Sequence, residues 1–220
     1  MKIFHFSITV CIALLLLTSC NGGKNQQLKT EQDSLLAASQ KAYKDLKFGM
    51  PLKEVKKLDY LESDTPTLNV NLEDIDEDGN INYKEDVNGV VDYSCKSKKI
   101  GEYSFDFASL GFSNDSLVLV KFQKNVDFQS SLNVVYKEIK DILDSNYGNP
   151  ISENLPNFTI PSDMQVLKYH VGSKHILLSL NVDEDAVAMG FDNKYCYILE
   201  ILDSNRYNKA KIDSKKTTDI

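Results

Sequence analysis

The sequence feature that most constrains the fold is an alternation of apolar and polar residues on both sides of one tight turn. The turn is Val171-Gly172-Ser173-Lys174, and Gly172 suits the first central position of a type II′ turn because that position has a positive φ. Pairing the flanking segments across this turn puts six apolar side chains on one face: Leu167, Tyr169, Val171, Ile176, Leu178 and Leu180. The other face is mixed and more polar, so the pattern predicts an antiparallel sheet with one buried side.

Two segments have helical periodicity, and each precedes three predicted strands. The longer helix covers residues 132–146, and its apolar face is formed by Leu132, Val135, Tyr136, Ile139, Ile142 and Leu143. A shorter helix starts at Pro51, because proline suits the first helical turn. β-Branched and aromatic residues predict the strands Val90–Ser94, Tyr103–Phe107, Leu117–Phe122, Gln165–Val171, Lys174–Leu180 and Tyr195–Leu202. This order predicts an α+β fold, with helices packed on an antiparallel sheet. The two halves are candidates for degenerate repeats, each with one helix and three strands.

Composition divides the chain into an N-terminal signal, a tether, two folded halves and a tail. The residues next to the signal and those at the C-terminus are polar, with few apolar side chains, so we expect both segments to be flexible. The predicted segments are the signal peptide 1–19, the lipidated cysteine and tether 20–45, the first half 46–127, the second half 128–206 and the tail 207–220.

The N-terminus has the pattern of a bacterial export signal. The positive charge of Lys2 precedes an apolar stretch from Ile8 to Leu17, which is too short to cross a bilayer as a mature helix. The sequence Leu17-Thr18-Ser19-Cys20 then resembles the lipobox of bacterial lipoproteins. The resemblance implies that cleavage leaves Cys20 as the first residue and that its thiol carries lipid. The alternative is an ordinary secretory signal with a chance cysteine.

The lipoprotein resemblance also implies a location. Each buried methylene of an acyl chain contributes about 0.8 kcal/mol, so several chains on Cys20 would anchor the protein to a membrane. Asn21 follows the cysteine, and by analogy with enteric bacteria this residue favours the outer membrane of the cell envelope. The formal net charge of −7 argues against nucleic acid as a partner and is compatible with cations.

Two cysteines remain besides the lipidated one and the one in the signal. Cys95 and Cys196 lie far apart in the sequence, and an exported compartment permits a disulfide between the two halves. Because disulfide geometry cannot be read from a sequence, a second interpretation stays open. In that interpretation both residues are free thiols that pack as small hydrophobic side chains.

Residues 74–85 match the twelve-residue calcium loop of EF-hand proteins at its defining positions. The candidate metal ligands are Asp74, Asp76, Asp78, the backbone carbonyl of Asn80, Asn82 and Glu85. The flanking residues favour strand over helix, so this would be an isolated loop that binds calcium weakly, at about 10⁻⁴–10⁻³ M. The alternative is an acidic hairpin that turns at Asp78-Gly79 and holds no ion.

A further resemblance is carried by two short segments. Phe48-Gly49-Met50-Pro51-Leu52-Lys53-Glu54-Val55 is similar to the Gly-Met-x-x-x-Glu-Val opening of the SmpA/OmlA (BamE-like) lipoproteins. Tyr147-Gly148-Asn149-Pro150 resembles the Gly-x-Pro helix exit of the same kind of fold. The resemblance implies a helix packed on a small antiparallel sheet and a non-enzymatic binding role, but it does not imply a role in outer-membrane protein assembly.

Motifs typical of enzymes are missing from the sequence. It has no glycine-rich phosphate loop, no nucleophile elbow, no helical pair of metal-binding histidines and no Cys-x-x-Cys. His170 and His175 face each other in the predicted hairpin, but a metal site needs a third ligand.

The sequence therefore predicts a lipid-anchored cell-envelope protein that binds an unidentified envelope protein or glycan, with no nucleic acid and with calcium as a possible cofactor. The alternatives are a calcium-dependent envelope hydrolase and a structural envelope component. A cleft with converging carboxylates or histidines would favour the hydrolase, whereas a sheet face with exposed Tyr or Phe would favour the binding module.

Overall fold

The computed structural model describes residues 29–67, 89–154, 164–182 and 195–218. The chain forms two compact units, Met1–Ala38 and Ser39–Ile220. In the first unit, residues 29–38 are helical. Within the described residues, no helix has the length and apolar composition needed to span a membrane.

The described part of the second unit contains eleven strands and three α-helices. In chain order they are β1 (Lys41–Tyr43), β2 (Leu46–Lys47), α1 (Leu52–Lys57), β3 (Val91–Ser94), β4 (Lys99–Ile100), β5 (Tyr103–Ser104), β6 (Phe107–Ser113), β7 (Ser116–Val126), α2 (Leu132–Tyr147), β8 (Ser152–Glu153), β9 (Met164–Val171), β10 (Lys174–Val182), β11 (Tyr195–Asp203) and α3 (Ser204–Thr218). Seven strands form one antiparallel sheet in the order β3-β6-β7-β11-β10-β9-β8. Two short antiparallel pairs, β1 with β2 and β4 with β5, complete the strands.

The predicted α+β class is confirmed, because α2 packs on one face of the large antiparallel sheet. Its apolar face is buried at Leu132, Tyr136, Ile139 and Leu143. The helix ends where Gly148 adopts a φ of +77°, as the sequence predicts. The hydroxyl of the fully buried Tyr197 on β11 donates a hydrogen bond to the Leu132 carbonyl at 3.1 Å, which ties the start of the helix to the centre of the sheet.

The predicted β9–β10 hairpin is also confirmed, with its register from the turn to the Leu167–Leu178 pair; beyond this pair a bulge shifts the pairing. Tyr169 pairs with Ile176 and Leu167 with Leu178, and all four side chains are buried on the α2 face. Gly172 has a φ of +62° in the turn, and a Cβ at this position would lie 2.7 Å from the Cβ of Ser39. Only glycine fits there without displacing its neighbour.

The strands of the two predicted halves, 46–127 and 128–206, lie in the same sheet. β3, β6 and β7 form one antiparallel series, and β9, β10 and β11 form another. The last strands of the two series, β7 and β11, pair with each other from Leu119–Leu202 to Val126–Tyr195. The two halves therefore share one hydrophobic core.

The tether predicted for residues 20–45 is wrong in its C-terminal part. Residues 29–38 are helical, and β1 belongs to the second unit. Ala42 and Tyr43 are buried there, and the Tyr43 ring meets the Phe122 ring edge-on at a centroid distance of 5.1 Å. The prediction failed because Ala42 and Tyr43 are buried against residues that are distant in the sequence, and the polar composition around them does not indicate these contacts.

The flexible tail predicted for residues 207–220 is wrong as well, because α3 continues to Thr218. Asp203 caps this helix: its Oδ1 accepts hydrogen bonds from the backbone N–H groups of Asn205 at 3.1 Å and Arg206 at 3.2 Å. Tyr207 and Ala210 contact a small second cluster of apolar residues on the other face of the sheet, formed by Val90, Val118, Leu119 and Leu202. A cap and one small apolar patch are enough to order a very polar sequence.

A hydrogen-bonded carboxylate on α2 gives the fold an acid-sensitive contact. Asp144 accepts hydrogen bonds from the Tyr169 hydroxyl at 2.7 Å and the Lys140 ammonium at 2.8 Å. Burial opposes the charged form of this carboxyl, but the two hydrogen bonds outweigh burial and hold its pKa below the usual range of an aspartate. The folded pKa lies below the unfolded one, so this stabilisation is present above about pH 4 and is lost as the pH falls through the folded value.

We therefore expect Asp144→Asn to reduce the loss of stability on acidification. The measurement is the free energy of unfolding in urea from about pH 7 down to about pH 2. Asp141→Asn is the matched control, since its ion pair with Lys137 on the same helix is exposed and contributes little. An Asp144→Asn protein with the pH dependence of the wild type would contradict the assignment.

Candidate functional site

The sheet face opposite α2 carries a row of partly exposed polar side chains. Strand pairing places Ser94, Ser109, Lys121 and Glu200 side by side across β3, β6, β7 and β11. Together with Asp92, Phe107 and Gln123 from the neighbouring rows, they form what we call the open face. The helix α3 lies on the same side of the sheet, where it packs on Leu119 and Leu202.

A groove of about 370 Å³ lies on the open face at its β3 end. Its floor is formed by side chains of the sheet, namely Asp92, Ser94, Ser109, Lys121 and Gln123. This volume lies in the range of sites for small ligands, which is roughly 300–1,000 Å³.

One wall of the groove is a segment that runs along the outer edge of β3. The backbone N–H of Glu62 donates to the Ser94 carbonyl at 2.9 Å, and that of Thr67 donates to the Asp92 carbonyl at 2.7 Å. These hydrogen bonds satisfy two carbonyls at the outer edge of β3 and fix both wall residues beside the floor. Lys98 adds to the wall, with its Nζ 3.2 Å from a carboxylate oxygen of Glu62.

The charges that line the groove form two acid–lysine pairs. Besides the Glu62–Lys98 pair, Lys121 lies 3.6 Å from a carboxylate oxygen of Asp92. The Asp92 side chain is only 13% exposed. Its carboxylate occupies space that Gly111 leaves open, since a Cβ at Gly111 would lie 2.9 Å from Asp92 Oδ1. Two carboxylates and two ammonium groups give the lining a net charge of zero, in contrast to the acidic chain.

Glu200 extends the polar row away from the groove. Burial raises the pKa of its carboxyl; the positive charge of Lys121 opposes this effect, and the negative charge of Asp92 adds to it. Lys121 therefore lies between two carboxylates, and it neutralises one of them at the groove floor.

The groove also contains an exposed aromatic ring. Phe107 is 55% exposed on β6, and Lys98 Nζ lies 5.8 Å from the ring centroid. Next to it on the paired strand β7, the Gln123 amide donates to Asn125 Oδ1 at 2.8 Å. The hydroxyls of Thr67 and Ser94 are 2.9 Å apart. The site thus combines hydrogen-bond donors, hydrogen-bond acceptors and one apolar platform.

Comparison of this chain with protein-family models, with curated protein sequences and with solved structures gives no match. The resemblance to the SmpA/OmlA lipoproteins therefore stays a prediction from two short segments.

Several residues predicted as sites lie outside the described part of the chain. They are Cys20 and the calcium-loop residues Asp74, Asp76, Asp78, Asn80, Asn82 and Glu85. In the described ranges, no three His, Cys, Asp or Glu side chains converge to hold a metal ion.

His170 and His175 pair across the hairpin with a centroid distance of 5.0 Å. Two strand spacings, roughly 10 Å, separate β10 from β7, the nearest strand of the groove floor.

The disulfide between Cys95 and Cys196, one of the two alternatives predicted from the sequence, is not formed in this structure. Cys95 is fully buried in the main core directly after β3. Cys196 lies on β11, on the same face as Glu200, and two strands separate β11 from β3 in the sheet. Opposite faces and a separation of roughly 14 Å exceed what a disulfide can bridge.

The groove was not predicted, although the sequence contains a signal for it. In β3, Asp92 and Ser94 alternate with the core residue Tyr93, and in β7, Lys121 and Gln123 alternate about the core residue Phe122. Side chains two apart on a strand share a face, so each set was predictable as outward-facing. The sequence did not predict that the two sets lie side by side in one groove, because this depends on the position of β6 between β3 and β7.

Proposed function

We propose that this chain is a lipid-anchored protein of the bacterial cell envelope that binds a ligand in the groove of the open face and does not catalyse a reaction. The observation that carries the proposal is the exposed Phe107 ring beside two acid–lysine pairs on the open face of the sheet. Exposed aromatic side chains are enriched at binding sites because they give a large contact area at a small entropic cost.

A binding role fits the groove better than hydrolysis does. A general acid or base needs a carboxyl that can exchange a proton with the substrate. The two carboxylates of the groove are instead engaged with ammonium groups, Glu62 with Lys98 and Asp92 with Lys121. The two histidines of the mature chain, His170 and His175, lie on β9 and β10, toward the sheet edge that is opposite β3.

The proposal includes two features of the whole chain. Lipid on Cys20 would hold the protein at a membrane, and the polar residue Asn21 supports the outer membrane as its destination. We further propose that the two halves are degenerate repeats. The support is that each helix is followed by a series of three strands in the large sheet, β3-β6-β7 after α1 and β9-β10-β11 after α2, apart from the two-residue strands β4, β5 and β8. The last strand of each series lies at the centre of the sheet.

Binding to the envelope tests the function. The polypeptide from residue 20 onward, with Cys20→Ser so that it carries no lipid, should sediment with isolated envelopes of the producing bacterium. Phe107→Ser should weaken this binding about tenfold, because losing a central aromatic contact costs about 1–2 kcal/mol. Phe128→Ser is the matched control, since Phe128 is 67% exposed and does not line the groove. Equal binding by the two variants, or no binding by the unsubstituted chain, would refute the proposed function.

Calcium is expected to stabilise the protein through the loop at residues 74–85. With a dissociation constant of about 10⁻⁴–10⁻³ M, about 10 mM calcium adds about 1.4–2.7 kcal/mol to the free energy of unfolding. For a chain of this size, the midpoint of thermal unfolding should rise by roughly 3–10 °C. Glu85→Gln should remove most of the increase, because this side chain would supply two of the oxygen ligands.

The same experiment separates calcium binding from an acidic hairpin. Magnesium at equal concentration is the control for general screening of the acidic residues, and it favours a smaller octahedral site. If the midpoint is the same in calcium, magnesium and chelator, the loop is a turn without an ion.

A further inference from the structure

We propose that the groove on the open face binds a neutral carbohydrate. This inference rests on the proposed function, and it names the ligand class for the same site. Three properties of the groove carry it: its charge balance, its hydrogen-bonding groups and the position of Phe107.

The charge balance disfavours a charged ligand. The two lysines that line the groove, Lys98 and Lys121, each lie within 4 Å of a lining carboxylate. An anionic ligand would have to displace Glu62 or Asp92 from its lysine, and a cationic ligand would have to displace a lysine. Either exchange breaks an existing ion pair, whereas a neutral ligand leaves both in place.

The hydrogen-bonding groups match a ligand with many hydroxyls. The floor and wall offer hydroxyls from Thr67, Ser94 and Ser109 and a side-chain amide from Gln123. Each hydroxyl both donates and accepts, and so does each hydroxyl of a sugar. Paired carboxylate and ammonium groups add stronger acceptors and donors next to each other, as a polyol requires.

Phe107 supplies the remaining element of sugar recognition. Its ring is exposed at the side of the floor, directly opposite Gln123 in the β6–β7 pairing. A pyranose has one face of C–H groups and a rim of hydroxyls. The negatively polarised ring face attracts those C–H groups, while the polar groups nearby reach the rim. The short side chains of Ser94 and Ser109 leave room above the sheet for such a ring.

The first test identifies the kind of molecule that is recognised. Envelopes of the producing bacterium are oxidised with periodate, which cleaves vicinal diols, or digested with a broad protease, and binding of the unlipidated chain is measured by sedimentation. We expect periodate to reduce binding at least tenfold and the protease to leave it within twofold. Loss of binding after protease but not after periodate would overturn the carbohydrate inference, and groove-dependent binding to a protein would still support the proposed function.

The second test addresses charge. Polysaccharide extracted from the envelopes is separated by anion exchange into neutral and acidic fractions, and each fraction is used as a competitor. The neutral fraction should compete, and its apparent affinity should change less than twofold between about 0.05 M and 0.5 M salt, since screening acts on charged partners. Competition by the acidic fraction alone, with an affinity that falls steeply with salt, would overturn the inference.

Variants assign the binding to the groove. Phe107→Tyr keeps an aromatic face and should retain affinity within about threefold, whereas Phe107→Ser should lower it about tenfold. Gln123→Ala should also weaken competition by the neutral fraction. Because both side chains are partly exposed, thermal unfolding should show that these variants stay folded. Neutral polysaccharide that binds all of them equally would refute the assignment to this groove.

Discussion

Replacing Phe122 by alanine is expected to lower the free energy of unfolding by about 3–5 kcal/mol. Phe122 is fully buried on β7, a central strand of the sheet. Its ring contacts two others, that of Tyr43 at 5.1 Å and that of Phe105 at 5.0 Å between centroids. The substitution removes the burial of one ring and leaves a cavity between three segments that are distant in sequence, so little relaxation can fill it.

Denaturation in urea checks this expectation, with Phe128→Ala as the control. Phe128 follows the same strand but is 67% exposed, so its loss should change the free energy of unfolding by less than about 0.5 kcal/mol. The dependence on urea should stay the same in both variants, since neither changes the surface that unfolding exposes. A Phe122→Ala protein as stable as Phe128→Ala would contradict the position of the core described above.

The elements that the sequence predicted well are those that local pattern alone determines. The β9–β10 hairpin follows from strict alternation and from Gly172, whose φ of +62° few other residues adopt. The helix α2 follows from apolar residues at helical spacing, with Gly148 as its end. In both cases the residues that specify the element lie within one short segment.

The elements that were missed depend on contacts with distant segments. The strand β6 contains Ala108, Ser109 and Gly111, residues with low preference for strands, and it is held by pairing with β3 and β7 on its two sides. Likewise, α3 has almost no apolar residues and is ordered by the Asp203 cap and by packing of Ala210. The polar composition of this segment predicted a flexible tail, because composition contains no information about contacts with the rest of the fold.

Candidate sites, too, could be predicted where their residues lie in one short segment and were missed where the residues come from distant segments. The calcium loop could be predicted because its six candidate ligands lie within twelve consecutive residues, and calcium binding there stays a prediction. The groove combines residues from a β3-edge segment, from β3 and from the β6–β7 pair, so its formation depends on strand order and register. A one-residue shift in the pairing of β6 and β7 would turn Lys121 and Gln123 toward the core. The site therefore requires the correct register between two strands, which the pattern of either strand alone does not specify.

Replacing Cys20 by serine is expected to abolish lipid attachment completely. Lipid modification of a lipobox cysteine requires a thiol, and a serine hydroxyl at this position is a far poorer nucleophile. Without acyl chains the protein loses about 0.8 kcal/mol of membrane affinity for each methylene that would have been buried. The variant should therefore move from the detergent phase to the aqueous phase in a phase-separation assay, or remain as a precursor that still carries the apolar signal. Both outcomes lack incorporated fatty acid, which metabolic labelling measures directly.

Cys11→Ser provides the matched control, because Cys11 lies in the apolar part of the same signal and is removed by the predicted cleavage. This variant should be labelled and should partition as the wild type does. Labelling that survives in Cys20→Ser would place the lipid elsewhere. An unlabelled wild-type protein that begins at residue 20 would instead favour an ordinary secretory signal. The groove would then act in a soluble protein, and its binding to envelopes would have to hold the chain at the cell surface without help from a membrane anchor.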